Sequence, residues 1–222
     1  MIDDAPEAGA GFEAAVAYAV AEEMGFAGED VVWVRAGFDE SIQPGAKSFD
    51  MNLQQFSITE DRDKVVDFSA PYYSSAMAVL TTEAVEAEPT LESLKSLKWG
   101  ADANTTAVPM LTDLIGPDSD PLLYNDNTDV TAAMQAGQID AALFDLPTAL
   151  YLAAVVVEGG VILGQFPADR SENPDQFGML MEEGTPLKDC VDAAIATLTE
   201  NGTLAEIEAT WLSETTGVPV IE

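Results

Sequence analysis

The segment "SITEDRDKVVDFSAPYY", residues 57–73, contains two of the eight basic residues in a 222-residue chain whose formal net charge is −32. Two hydroxyl side chains, Ser57 and Thr59, precede Arg62 in this segment. Hydroxyls, free N–H groups at the start of a helix and a guanidinium together form a receptor for a carboxylate, which arginine binds through two parallel hydrogen bonds. The segment therefore predicts a site for a small anion.

The same spacing allows a simpler interpretation. Ser57 is followed three residues later by Glu60, which is the pattern of a capping box at a helix N-terminus. Arg62 would then lie on the outer face of that helix with no ligand. Spacing alone does not decide between a cap and a binding site.

The composition excludes several classes of function. With 47% hydrophobic residues the chain can build a globular core, while 40 acidic residues against eight basic ones disfavour binding to nucleic acid or to a membrane surface. We interpret the acidity as an adaptation to solubility or to a salty or extracytoplasmic medium rather than as a cation site. The chain has no histidine, which excludes zinc sites and Ser-His-Asp triads of the usual kind, and we expect no metal, no cofactor and no catalytic residues.

The only cysteine, Cys190, cannot form an internal disulfide, and its apolar periodic surroundings predict a small core residue. No apolar run reaches the roughly 20 residues of a membrane span. The first residues, "MIDDAPEAGAG", do not form a signal peptide. For an exported protein we therefore expect a leader that is absent from this chain.

Helices and strands alternate along the sequence, which is typical of an α/β fold with parallel-rich sheets flanked by helices. The pattern predicts two lobes and two hinge crossings: residues 1–82 form lobe 1, residues 83–177 form lobe 2, and residues 178–222 return to lobe 1. The predicted strands are 31–35, 49–56, 76–82, 98–102, 139–144 and 177–183. The predicted helices are 12–24, 90–97, 105–115, 128–137, 185–202 and 203–212, the fifth opened by Thr185-Pro186 and the last by a capping box in "TLAE".

Four segments together resemble a known family: "GFEAAVAYAVAEEMGF", "FDMNLQQFSITEDRDKVVDFSAPYYSSAMAVL", "AGQIDAALFD" and "FGMLMEEGTPLKDCVDAAIATLTENGTLAEIEATWL". They are similar to the extracellular solute-binding proteins of family 3, which are the amino-acid receptors of bacterial ABC importers. The resemblance implies a two-lobe periplasmic-binding-protein fold of type II. It also implies that an amino acid is captured by closure of the two lobes about a hinge.

The resemblance assigns roles to residues in the first lobe. Arg62 is expected to clamp the ligand's α-carboxylate with help from Ser57, and the backbone carbonyl of Gln55 is expected to accept from the α-ammonium. Phe38 occupies the position of an aromatic residue that covers the ligand side chain. A phenylalanine near a strand is also a common core residue, so both interpretations of Phe38 stay open.

In the second lobe, "NTTA" matches a turn that opens a helix and holds the same carboxylate, which implicates Thr106 and Thr105. Asp145, which ends the strand of "QIDAALFD", matches the partner of the ammonium. Each residue has an alternative role. The threonines can cap a helix, and Asp145 can cap the helix that begins at Leu146-Pro147.

The sequence departs from the family at its start. The family has a strand before the segment that matches "GFEAAVAYAV", whereas only ten residues without a strand pattern precede this segment here. We therefore expect the chain to lack the family's first strand. The protein is otherwise expected to be a monomeric, non-enzymatic, periplasmic or extracellular membrane-anchored receptor that delivers an amino acid to an ABC permease. Two alternatives stay open: an enzyme resembling cyclohexadienyl dehydratase on the same fold, and the sensor domain of a membrane receptor.

Overall fold

The computed structural model describes residues 5–168, 175–212 and 217–221. These residues belong to two compact units. Unit 1 comprises Met1–Ser74 and Gln176–Ser213, and unit 2 comprises Ser75–Asp175 and Glu214–Glu222. The chain therefore passes from unit 1 to unit 2, returns to unit 1, and passes to unit 2 a second time.

Unit 1 is built from helices around short strands. Its helices are α1 (Phe12–Glu23), α2 (Phe38–Ser41), α7 (Lys188–Glu200) and α8 (Thr203–Trp211). Its strands are β1 (Asp67–Phe68) and β9 (Leu180–Met181), which pair antiparallel, and β2 (Tyr73–Ser75) and β8 (Asp175–Phe177), which form a second two-stranded sheet. Strands β2 and β8 contain the first two of the three unit boundaries. Short 3₁₀ helices lie at Pro6–Ala8, Gly28–Asp30 and Arg62–Lys64.

Helix α1 supplies the main apolar face of unit 1. Val16 and Val20 of this helix are fully buried and belong to one cluster with Val191 and Ile195 of α7. The two residues of each pair are four positions apart, which places each pair on one face of its helix. The two helices thus pack against residues 177–181, because Phe177, Met179 and Met181 belong to the same cluster.

Two predicted strands of unit 1 are absent. Residues 31–35 are not in a strand, no described strand pairs with them, and Val32 and Val34 are exposed. Residues 49–56 form no strand and contain one isolated bridge, between Asn52 and Leu180. Within residues 5–11 there is also no strand before α1.

Unit 2 contains a mixed five-stranded sheet in the order β5-β4-β6-β3-β7. Its strands are β3 (Met77–Thr82), β4 (Trp99–Asp102), β5 (Leu122–Tyr124), β6 (Ala141–Asp145) and β7 (Gly160–Phe166). Strand β4 runs parallel to β5 and β6, whereas β3 runs antiparallel to β6 and β7. Its helices are α3 (Leu91–Lys95), α4 (Ala107–Met110), α5 (Asn127–Gln135) and α6 (Leu146–Tyr151), with π-helical turns after α4 and α6.

The central strands of this sheet are buried on both faces. Val79 and Leu143 belong to one apolar cluster, while their neighbours Leu80 and Phe144 belong to another. Successive side chains of a strand point to opposite faces, so the sheet has a core on each side. This explains why β3 and β6 contain the consecutive apolar residues 77–80 and 141–144 rather than alternating apolar and polar ones.

The unit boundaries differ from the predicted lobe boundaries. The first crossing lies between Ser74 and Ser75 and not at residue 82, because β3 pairs with β6 and β7 of unit 2. The last described residues also belong to unit 2 and not to lobe 1. There the Ile221 N–H donates to the Gln165 carbonyl at 2.9 Å. A buried apolar strand at 76–82 is compatible with either unit, and only its pairing with other strands shows to which unit it belongs.

Three local predictions for the C-terminal half are wrong. Helix α7 begins at Lys188, and Thr185 instead accepts a hydrogen bond from Leu187 N–H within the preceding turn. Helix α8 has no side-chain cap; Gly202 precedes it in a left-handed conformation, and the Thr203 N–H donates to Asn201. Cys190 is exposed rather than part of the core.

Within the described ranges 5–168, 175–212 and 217–221, no helix combines the length and apolar character needed to cross a membrane.

Replacement of Leu143 by alanine tests the double-sided sheet. Leu143 is 2% exposed at the centre of unit 2, so the variant should lose about 2–5 kcal/mol of unfolding free energy in urea titrations. Leu123→Ala on the edge strand β5 is the control, because Leu123 is 55% exposed and its replacement should change stability by less than about 0.5 kcal/mol. Equal losses in the two variants would contradict the assigned burial.

Candidate functional site

The residues before Arg62 form a tight turn. The N–H of Arg62 donates to the Thr59 hydroxyl at 3.2 Å, and the N–H of Asp63 donates to the Thr59 carbonyl at 2.9 Å. The following 3₁₀ helix spans only Arg62–Lys64. Thr59, and not the predicted pair of Ser57 and Glu60, therefore closes this turn.

The side chain of Arg62 folds back over the segment that precedes it. Its Nη1 donates to the backbone carbonyl of Ser57 at 2.9 Å. Ser57 is itself buried and forms a β-bridge with Phe177. Because the carbonyl that holds the guanidinium belongs to a fixed backbone, the orientation of Arg62 is largely set before any ligand binds.

Phe38 contacts both the arginine and the core. The Arg62 Cζ lies 5.4 Å from the centre of the Phe38 ring, within the range of a cation–π interaction. The Phe38 ring also stacks on the fully buried Phe56, with ring centres 4.6 Å apart and planes 15° apart. Phe38 is half-buried at the start of α2, so it is at once a core residue and a neighbour of Arg62.

Gln55 has an unusual backbone conformation. Its φ of 54° is the only positive value among the described non-glycine residues. Its N–H donates to Oε1 of Glu13 on α1 at 2.7 Å, and the Tyr72 hydroxyl donates to the same oxygen at 2.6 Å. The neighbouring Gln54 side chain donates to the Ala36 carbonyl at 2.8 Å. Long-range contacts therefore fix the backbone just before Ser57.

Burial raises the pKa of the Glu13 carboxyl above its ordinary value of 4.5. The hydrogen bonds from Tyr72 and Gln55 act in the opposite direction, because they stabilise the charged form, but desolvation is the larger effect. Although the side chain retains some solvent exposure, protein atoms surround its carboxyl group. Glu13 was not among the residues singled out from the sequence. The sequence indicates only an acidic residue in the first turn of a helix.

In unit 2 the predicted residues follow two neighbouring strands. Thr105 and Thr106 come after β4, and Asp145 is the last residue of β6. Because β4 and β6 are parallel, these residues all lie at the carboxyl ends of the strands. Open α/β sheets bind their ligands at these ends. Thr105 closes the turn after β4 by donating its hydroxyl to the Asp102 carbonyl at 2.9 Å. Thr106 precedes α4 without capping it through its side chain.

Asp145 caps helix α6. Its Oδ1 accepts from the Thr148 N–H at 2.9 Å, which confirms the capping role that the sequence allows. A cap uses one carboxylate oxygen and leaves the negative charge of the group in place. Capping and ligand binding are therefore compatible at this position.

The structure thus brings the predicted residues together in two groups. Arg62, Ser57, Phe38 and Gln55 form the unit 1 group, and Thr105, Thr106 and Asp145 form the unit 2 group. Glu13 and Thr59 are additional members of the unit 1 group. Across the three described ranges, histidine, cysteine and acidic side chains form no group of three or more that could hold a metal ion.

Comparison with known proteins identifies the family. The sequence model of the "Bacterial extracellular solute-binding proteins, family 3" matches residues 1–214. The chain belongs to this family of solute-binding proteins. The match confirms the resemblance that the four quoted segments carry.

Individual members of this solute-binding family are only moderately similar in sequence. The L-cystine-binding protein TcyJ of Escherichia coli (strain K12) is 28% identical over 174 residues, which cover 75% of this chain and 61% of that protein. The arginine-binding periplasmic protein of Mannheimia haemolytica is 28% identical over 208 residues, which cover 91% of this chain and 81% of that protein. The chain therefore spans about three fifths of the length of the first relative.

A solved structure confirms the two-lobe fold. An ancestral arginine-binding protein bound to arginine matches with a TM-score of 0.70 and 25% identity, covering 90% of this chain and 87% of that chain. The fold class predicted from the sequence is therefore correct.

The pH dependence of stability reports on Glu13. Because its pKa is raised in the folded state, the folded chain binds the proton more tightly, and this contribution to stability is lost as the pH rises above about 4.5. Relative to Glu13→Gln, the wild type should lose unfolding free energy between pH 4 and pH 7. Exposed Glu22 on the same helix provides the control Glu22→Gln. Parallel stability curves for wild type and Glu13→Gln would contradict the raised pKa.

Proposed function

We propose that this chain is the extracytoplasmic receptor of an ABC importer and that it binds an amino acid. The observation that carries the proposal is Arg62, whose guanidinium is oriented by the Ser57 carbonyl at 2.9 Å in a chain of net charge −32. A positive group in so acidic a protein is a selective site for a carboxylate, because most other surfaces of the molecule repel anions.

The carboxylate and the ammonium of an amino acid account for the predicted residues in the two units. The α-carboxylate binds to Arg62 and Ser57 in unit 1 and to Thr105 and Thr106 in unit 2. The α-ammonium binds to the Gln55 carbonyl and to Asp145. Phe38 covers the ligand's side chain. A ligand that engages both units favours the closed arrangement, and the ABC permease recognises that state.

The named relatives support this proposal. One relative is named for cystine and another for arginine, and both carry the name of binding proteins rather than of enzymes. An amino acid is therefore the proposed class of ligand, and the proposed location is the periplasm or the outer surface of a membrane, where the chain acts as a monomer. Its membrane anchoring and its leader are part of the proposal.

The two alternatives predict different measurements. An enzyme resembling cyclohexadienyl dehydratase would turn over arogenate or prephenate, whereas a receptor would only bind its ligand. The pocket carboxylate that such an enzyme needs as a proton donor has one candidate among the predicted site residues, Asp145, which caps α6. A sensor domain would bind the same amino acid but would be joined to a membrane protein rather than recognised by a permease.

A thermal-shift screen of the twenty amino acids should identify the ligand, because binding to the folded state raises the melting temperature. Calorimetry with that ligand then tests Arg62. We expect Arg62→Ala to lower affinity by about 30-fold or more, and Arg62→Lys by about tenfold, because lysine keeps the charge but not the paired hydrogen bonds.

Lys64→Ala is the matched control for Arg62. Lys64 lies two residues away and pairs with Asp61 at 2.5 Å on the exposed surface, so its loss should leave affinity within about twofold. If Arg62→Ala binds the identified amino acid as tightly as the wild type, Arg62 is not the carboxylate clamp.

Asp145→Asn separates capping from ligand binding. Asparagine caps helices about as well as aspartate, so the melting temperature of the free protein should stay unchanged while affinity falls by about tenfold or more. Asp126→Asn is the control, because Asp126 caps α5 in the same way, accepting from Asp129 N–H at 2.8 Å. Unchanged affinity in Asp145→Asn would assign Asp145 to capping alone.

A further inference from the structure

The peptide of Gln55 is held in a conformation that its own side chain disfavours. A residue with a Cβ atom at φ = 54° lies in the left-handed region, which is sparsely occupied outside glycine, asparagine and aspartate. Such a conformation persists only when surrounding contacts impose it. The nearest imposed contact is the hydrogen bond from Gln55 N–H to Glu13 Oε1, at 2.7 Å.

Glu13 is well suited to impose this conformation. It lies in the first turn of α1, whose buried residues Val16 and Val20 fix the helix to the core of unit 1. The Tyr72 hydroxyl donates to the same Oε1 at 2.6 Å and orients the carboxyl group. Glu13, Gln55 and Tyr72 come from three separate segments, so their meeting point is a long-range constraint on the binding loop.

The constraint acts directly beside the clamp. Gln55 precedes Ser57 by two residues, and the Ser57 carbonyl is the group that holds Arg62. A change in the Gln55 φ angle would redirect the Gln55 carbonyl and the chain leading to Ser57. The orientation of two proposed ligand contacts is therefore coupled to the hydrogen bond between Gln55 and Glu13.

We propose that Glu13 is a positioning residue for ligand binding, which fixes the left-handed peptide of Gln55 so that its carbonyl faces the ligand's ammonium. This inference rests on the proposed function. Glu13 does not contact the ligand; it acts through Gln55, with Tyr72 as the group that orients it.

Calorimetry on Glu13 variants tests the proposal with the amino acid identified by the screen. Glu13→Ala removes the acceptor and should lower affinity about tenfold, the effect of one hydrogen bond to a fixed backbone group. Glu13→Gln keeps an oxygen at the same position and should bind within about threefold of the wild type. A loss in Glu13→Gln as large as that in Glu13→Ala would overturn the positioning role, because it would show that the charge and not the geometry matters.

A second background tests whether Glu13 acts through Gln55. Glycine adopts a positive φ without the penalty of a Cβ atom. In a Gln55→Gly background the backbone conformation therefore depends less on the hydrogen bond to Glu13. Glu13→Ala should therefore cost about tenfold in affinity with glutamine at position 55 and no more than about threefold with glycine there. Equal losses in the two backgrounds would overturn the inference.

Val16→Ala controls for a general loss of structure. Val16 lies on the same helix and is fully buried, so this variant should lower the melting temperature while leaving affinity unchanged. If Val16→Ala lowers affinity as much as Glu13→Ala does, the effect belongs to the stability of α1 and the proposal fails.

The wild type and Arg62→Ala distinguish this inference from the proposed function. If the wild type binds none of the amino acids, the proposed function fails. If the wild type binds, Arg62→Ala does not, and Glu13→Ala binds like the wild type, the proposed function stands and the positioning role of Glu13 is wrong.

Discussion

Unit 1 depends on a short backbone segment that arrives from far along the chain. Residues 176–181 form hydrogen bonds with residues 52–58 on one side, including Gly178 N–H to the Phe56 carbonyl at 3.1 Å, and with residues 67–72 on the other. Met179, Leu180 and Met181 within this segment are fully buried. The loop that carries Arg62 is thus attached through residues more than 100 positions away, so its position is fixed only once the chain has returned from unit 2.

Local sequence features predicted much of the fold and part of the site. The apolar runs at 76–82 and 139–144 are strands, and the first-turn signals at Asp145 mark a helix start, because these features depend on neighbours in sequence. Arg62 and Ser57 are five residues apart, and their contact is likewise local. The motif around them identified the family because its chemistry and its spacing lie in one continuous segment.

Features that depend on distant partners could not be predicted in the same way. The segment 31–35 has the composition of a strand, but strands form only with a partner, and no described strand lies beside it. The role of Glu13 depends on Gln55 and Tyr72, which are 42 and 59 residues away. The first unit boundary was misplaced for the same reason, since the pairing of β3 assigns it to unit 2.

The exposure of Cys190 makes the protein suitable as an optical reporter. It is the only cysteine in the sequence, and it lies on the surface of α7 in unit 1. A thiol-reactive fluorophore would therefore attach at one defined position without removal of any other thiol. Its point of attachment is on a helix whose other side packs against α1, so the dye would be attached to a helix of the core in the unit that contains the arginine.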